Sequence, residues 1–137
     1  MYPPSRASVV FASNRGSGVQ KHILIADDHM GMRQVVKQTL SAALDIDYQE
    51  AANGREAIKR AEQTRPDLII LDISMPEMDG ITAAKHLKQH LPEIPIILFT
   101  MYELGQDGAK ALGVDAVVSK SEGLEKLSNC AQSLLSR

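Results

Sequence analysis

The stretch Leu68-Ile69-Ile70-Leu71-Asp72-Ile73-Ser74-Met75-Pro76-Glu77-Met78-Asp79-Gly80 decides how this chain is read. Its four opening apolar residues are too few for a buried helix and predict a strand covered on both faces. The run ends on a carboxylate, and Pro76 and Gly80 interrupt regular structure soon afterwards. An acid at the tip of a buried strand is costly unless something nearby requires its charge. In an open parallel sheet, that tip is where ligands bind. Asp72 is therefore the first residue to explain.

Toward the N-terminus, Ile23-Leu24-Ile25-Ala26 predicts a second short apolar strand, running into Asp27-Asp28. A helix follows, with Val35, Val36, Leu40, Ala43 and Leu44 at helical spacing. Asp47 to Ala51 is a less apolar strand, suited to a sheet edge. Asn53 is placed to cap a helix that turns Ala57, Ile58 and Ala61 inward and ends at Arg65-Pro66. Toward the C-terminus, a helix runs from about Ile81 to Leu91, and Ile94 to Phe99 is an apolar strand ending on Thr100. Glu103 to Leu112 is a weak helix carrying Gly105 and Gly108, and Ala116-Val117-Val118 is a last strand ending at Ser119-Lys120. Ser121 is read as the cap of a final helix with Leu124, Leu127, Ala131, Leu134 and Leu135 on one face. Five strand–helix alternations predict a doubly wound parallel α/β sheet with right-handed crossovers.

A chain of 137 residues suits one domain with its own core. Its 44% hydrophobic and 23% charged residues are ordinary for a soluble protein, and a net charge of −2 provides no basic field for nucleic acid. Cys130 is the single cysteine, which excludes an intramolecular disulfide and suits a reducing, cytoplasmic setting. No apolar run reaches the roughly 20 residues needed to span a bilayer. Residues 1–20 are rich in turn formers and are expected to be a flexible tail before a folded unit at 21–137. The apolar patch around Val9-Val10-Phe11 is too short and poorly bounded for a secretion signal.

The residues that follow the strands carry the chemistry: Asp27 and Asp28, then Asp72, Thr100 and Lys120. Three carboxylates in one place repel, at ~4 kcal/mol per ionised pair for ~4 Å and an effective dielectric of ~20. A proton or a cation must offset this, and oxygen-only ligands suit Mg2+. A cation, an ammonium and a hydroxyl around one carboxylate match the needs of a transferring phosphoryl group, with Asp72 as nucleophile.

Asp27-Asp28, Asp72 with Met75-Pro76 and Asp79-Gly80, Thr100 and Lys120 together resemble the receiver domain of two-component response regulators. The resemblance covers roughly Lys21 to Arg137. It implies a flavodoxin-like (βα)5 sheet of order 2-1-3-4-5 and an aspartate phosphorylated by a histidine kinase or a histidine phosphotransfer protein. Carried over by position, Asp72 is the phosphoacceptor. Asp28 and Asp72 bind Mg2+ directly, Asp27 binds it through water, and the Ser74 carbonyl completes the protein ligands. Thr100 and Lys120 hold the phosphoryl oxygens.

This sequence departs from the family's pattern at several points. Val117 stands where receivers carry a switching aromatic on the last strand, and valine has one stiff torsion and no ring. Tyr102 is the nearest aromatic. Met101 stands where many receivers have a small residue, and is expected to narrow access to an acyl phosphate. Thr100-Met101 also resembles the subgroup with helix-turn-helix output domains. Ser121 replaces the usual proline after Lys120, so a trans bond is expected. The fourth helix is expected to be short or frayed.

Other candidates read blandly. His86 and His90, four apart on the third helix, could form half a zinc site, but no nearby acid or cysteine completes it convincingly, so a solvated face is expected. Asp27-Asp28 could cap the first helix while also binding metal. Cys130 is assigned to the edge of a buried face. The functional expectation is a phosphoacceptor signalling through a protein partner, with no conventional enzyme activity, no membrane contact and no direct nucleic-acid contact. Homodimerisation stays open. The alternatives are the receiver half of a helix-turn-helix transcription factor, a phosphorelay shuttle, and an unphosphorylated scaffold. A Rossmann enzyme is disfavoured because no Gly-x-Gly-x-x-Gly follows the first strand.

Overall fold

The β-branched and leucine side chains of the strands alternate between two faces, and that alternation splits the core into two layers. A computed structural model describes residues 20–137. It contains β1 (Lys21–Ala26), α1 (Met30–Ala43), β2 (Ile46–Ala51), α2 (Gly54–Thr64), β3 (Leu68–Leu71) and α3 (Gly80–His90). These are followed by β4 (Ile96–Thr100), α4 (Gly105–Leu112), β5 (Ala116–Ser119), a 3-10 turn (Lys120–Glu122) and α5 (Leu124–Leu135). The tail expected over 1–20 lies outside the described residues except for Gln20. The strands form one parallel sheet of order β2-β1-β3-β4-β5, the flavodoxin-like arrangement.

On one face Leu24, Ala26, Ile69, Leu71, Ile96 and Leu98 pack with Ala57, Ile58 and Ala61 of α2 and Ala83, Ala84 and Leu87 of α3. On the other, Ile23, Ile25, Leu68, Ile70, Ile97, Phe99 and Val118 pack with Val36 and Leu40 of α1 and Leu127, Ala131, Leu134 and Leu135 of α5. All four residues of β3 are buried, as expected of a central strand covered on both sides. Burying each large aliphatic side chain contributes about 1.5–3 kcal/mol. Among the described residues no helix is long and apolar enough to cross a membrane.

Several local expectations hold. Asn53 caps α2, accepting from the Glu56 amide at 2.8 Å, and Arg65 ends that helix at a φ of 46°. β2 lies at the sheet edge. α4 has eight residues and starts only at Gly105, whose φ is +66°. The 120–121 peptide bond is trans.

Two readings need correction. Ser121 does not cap the final helix. Ser119 instead forms a capping box around the 3-10 turn, its hydroxyl accepting from the Ser121 amide while Glu122 accepts from the Ser119 amide. α5 then starts after Gly123, whose φ of 97° lies outside the usual range of other residues. Nor do the acids cap α1, because His29 takes the N-cap position. Within α1, Val36 and Leu40 are buried, whereas Val35 and Ala43 face outward.

Candidate functional site

Backbone pairing brings the acids together. Ala26 pairs with Leu71 across β1 and β3, so Asp27 and Asp72 are the next residues on adjacent strands. The ladder runs one step beyond each strand: Asp27 N–H donates to Ala51 O and Asp72 N–H to Ala26 O, both at 3.0 Å. Thr100 pairs with Ser119 at the end of β4 and β5, which places Lys120 just past the same edge.

Asp27, Asp72 and Thr100 are buried. Lys120 Nζ donates to Asp27 Oδ2 at 2.8 Å and to Asp72 Oδ2 at 3.1 Å, so one ammonium bridges two carboxylates. Burial works against the charge on Lys120, but hydrogen bonds and attraction from Asp27 and Asp72 outweigh it and raise its pKa above the ordinary 10.5. Asp72 Oδ1 accepts from the Ile73 amide at 2.8 Å, which leaves Oδ2 as the oxygen turned toward the ammonium. Thr100 Oγ1 accepts from the Tyr102 amide at 3.3 Å. The hydroxyl proton of Thr100 thereby stays free to point elsewhere.

Asp28 is partly exposed and reaches Asp27 through His29. His29 Nδ1 lies 3.0 Å from Asp28 Oδ1 and 3.3 Å from Asp27 Oδ1, and the His29 amide donates to Asp27 Oδ1 at 2.9 Å. Oxygen and nitrogen donors of Asp27, Asp28 and His29 all lie within 4.8 Å of one another. Ser74 is exposed in the loop after β3. The strand tips thus bring Asp27, Asp72 and Lys120 into direct contact and set Asp28 and Thr100 at the same edge.

Two contributors escaped the sequence reading. His29 touches both acids, and its position directly after them was the available signal. Arg33, one turn into α1, donates from Nη1 to the Asp27 carbonyl at 2.6 Å and from Nε to Glu50 at 2.7 Å. It ties the loop after β1 to the neighbouring edge strand.

The loop after β3 is tightly built. Met78 N–H donates to Pro76 O at 2.7 Å, closing a γ-turn around Glu77 at a φ of 64°. Gly80 N–H returns to Ile73 O at 2.8 Å, and Asp79 caps α3 by accepting from the Thr82 amide. Beyond Thr100, a cleft of about 900 Å3 opens beside β5, with Tyr102, Leu104, Val114 and Val117 in its wall. Valine leaves that wall without a ring at position 117, while Tyr102 is more than half exposed.

Residues 23–132 match the family model of the response regulator receiver domain. The chain belongs to that family. VraR, a response regulator protein of Staphylococcus aureus, is 33% identical over 113 residues, covering 80% of this chain and 54% of VraR. This receiver therefore spans about half the length of the curated relatives it matches. Among solved structures, a LuxR-family DNA-binding response regulator from Staphylococcus aureus aligns with a TM-score of 0.77 and 27% identity, covering 84% of this chain and 98% of that one. CheY4, a chemotaxis protein of Vibrio cholerae, aligns with a TM-score of 0.75 and 30% identity, covering 85% and 99%.

Proposed function

We propose that this receiver accepts a phosphoryl group on Asp72 from a histidine kinase or a histidine phosphotransfer protein and passes the signal on by binding a protein partner. The observation that carries the reading is the Lys120 ammonium held between the buried carboxylates of Asp27 and Asp72, at 2.8 and 3.1 Å. Such an ammonium fixes the position of the nucleophilic oxygen and can turn to a phosphoryl oxygen as charge arrives. A lone pair on Asp72 Oδ2 forms the new O–P bond as the donor's N–P bond breaks, and the departing imidazole is reprotonated from solvent. Lys120 then pairs with one phosphoryl oxygen, and the Thr100 hydroxyl donates to another. The chain assists its own phosphorylation and dephosphorylation in this way without being a conventional enzyme.

The donor set fits Mg2+, a hard cation that favours carboxylate and carbonyl oxygens. Asp28 and Asp72 would hold it directly, with Asp27 through water and the Ser74 carbonyl. The ion supplies charge neutralisation at the phosphoryl oxygens. A cytoplasmic location belongs to the same reading.

A second reading has specific support. Similarity to a LuxR-family DNA-binding response regulator, and the 54% of VraR that is matched, favour the receiver half of a helix-turn-helix transcription factor. In that case DNA contact belongs to another domain.

The deciding experiment is incubation with Mg2+ and a small phosphodonor, read by intact mass. The expected product carries one added phosphoryl group, and Asp72→Asn carries none. An unmodified wild-type chain would instead make it an interaction scaffold. Return of the group to a histidine protein would identify a shuttle.

A further inference from the structure

Glu62, His86 and His90 stand close to one another on two neighbouring helices, at the other end of the molecule from the acidic pocket. His86 and His90 are four apart on α3, and their rings stack with centroids 4.2 Å apart and 24° between planes. From α2, Glu62 brings Oε2 to 3.3 Å from His86 Nε2. The acid nearest the histidine pair arrives from a different helix, and the side chains of His86 and Glu62 are both solvent-exposed. Both helices run back from the strand tips, so their last turns lie at the opposite edge of the sheet from Asp72.

The hydrogen bonds define the proton positions. His90 Nδ1 faces the His86 carbonyl at 2.9 Å, and a carbonyl can only accept, so Nδ1 carries the proton. The lone pair of a neutral His90 is then on Nε2. Histidine ligands of metals commonly have this arrangement, with one ring nitrogen donating to a backbone carbonyl and the other free to coordinate. His86 Nε2 and Glu62 Oε2 are separated by 3.3 Å. Two ligands at ~2.1 Å from a tetrahedral ion lie about 3.4 Å apart. A cation between them would replace the proton they now share, and a neutral His86 would carry its proton on Nδ1. His90 is exposed at the end of α3, and its Nε2 reaches the same point only when its ring turns out of the stack with His86. The Lys88 ammonium, nearby on α3, is engaged by Asp115 at 2.9 Å and the Ile94 carbonyl at 2.7 Å.

We infer that Glu62, His86 and His90 form a site for a divalent first-row transition ion, zinc in the first instance, with water in the remaining position. Two imidazoles and one carboxylate suit zinc and do not suit Mg2+. Bound there, the ion staples α2 to α3 on a face separate from the phosphoacceptor.

The test is calorimetric titration of zinc chloride into the protein with excess magnesium chloride present. The wild type is compared with His86→Ala, His90→Ala, Glu62→Gln and His29→Ala. One zinc is expected at micromolar to submillimolar concentration. Each of the His86 and His90 variants should weaken it at least about tenfold, with a smaller loss for Glu62→Gln and none for His29→Ala. Zinc should also raise the melting temperature of the wild type and not that of His90→Ala, whose altered side chain is exposed and leaves the fold intact. No binding in this range, affinity unchanged in His90→Ala, or affinity lost in His29→Ala instead would each overturn the site.

Discussion

Lys120 holds two buried negative charges in place, and its removal leaves them facing one another. Lys120→Met should destabilise the protein by about 3 kcal/mol in Mg2+-free buffer, measured by urea unfolding. Because the folded pKa of Lys120 lies above 10.5, its contribution is fully present below that value and is lost as pH rises through the folded pKa. The difference between wild type and variant should therefore be constant through neutral pH and shrink in strong alkali. A difference that fades near neutrality would contradict the ion-pair account. Met101 would act on a phosphorylated product instead. It is 68% exposed beside Thr100, where it can screen an acyl phosphate from water. Met101→Ala should shorten the phosphoryl half-life, and an unchanged half-life would remove this role. Cys130 is inert by comparison, since burial raises its thiol pKa despite the positive charges of Lys126 and Arg137.

At the scale of elements, the start of α3 has no room for a side chain. A Cβ on Gly80 would overlap the Asp72 carbonyl oxygen and lie 2.7 Å from its carbon and 2.8 Å from Ile73 Cα. These atoms are all backbone of Asp72 and Ile73, and cannot yield without displacing Asp72. Gly80→Ala should cost about 3 kcal/mol or more and slow phosphorylation of whatever protein remains folded, read by urea unfolding and mass-resolved kinetics. α4 is at the other extreme. It is eight residues long, has no side-chain cap, and has no buried residue among its described side chains. Amide exchange in α4 should be the fastest of the five helices, and protection equal to that of α1 would refute this. Gly108→Ala should slow that exchange through helix propensity, provided Leu104, whose Cβ would be 3.2 Å from the new one, gives way.

At the scale of the molecule, carboxylates from β1 and β3 meet only when the sheet is formed, so a cation bound between them favours the folded state. Mg2+ should raise the melting temperature of the wild type in a concentration-dependent way, and less so in Asp28→Asn; equal shifts would place the cation elsewhere. Much of this arrangement was legible beforehand. Short uninterrupted apolar runs such as Leu68–Leu71, bounded by turn residues, read as central parallel strands, and an acid, a hydroxyl or an amine after such runs is visible without coordinates. Asn53 advertised its cap because capping is local. Ser121 misled for a related reason: Ser119, two residues earlier, caps a 3-10 turn that takes up Ser121, so the final helix starts only after Gly123.

By itself, then, the sequence determined the strand–helix alternation, the two-layered core and the identity of the residues at the strand tips, because hydrophobic period and turn chemistry act over a few residues. The tertiary structure alone decided which carboxylate oxygens share the Lys120 ammonium, that His29 and Arg33 join the first acid, and that Glu62 meets His86. Those contacts connect residues far apart in the chain, and their distances follow from strand register and helix packing, which no local pattern encodes.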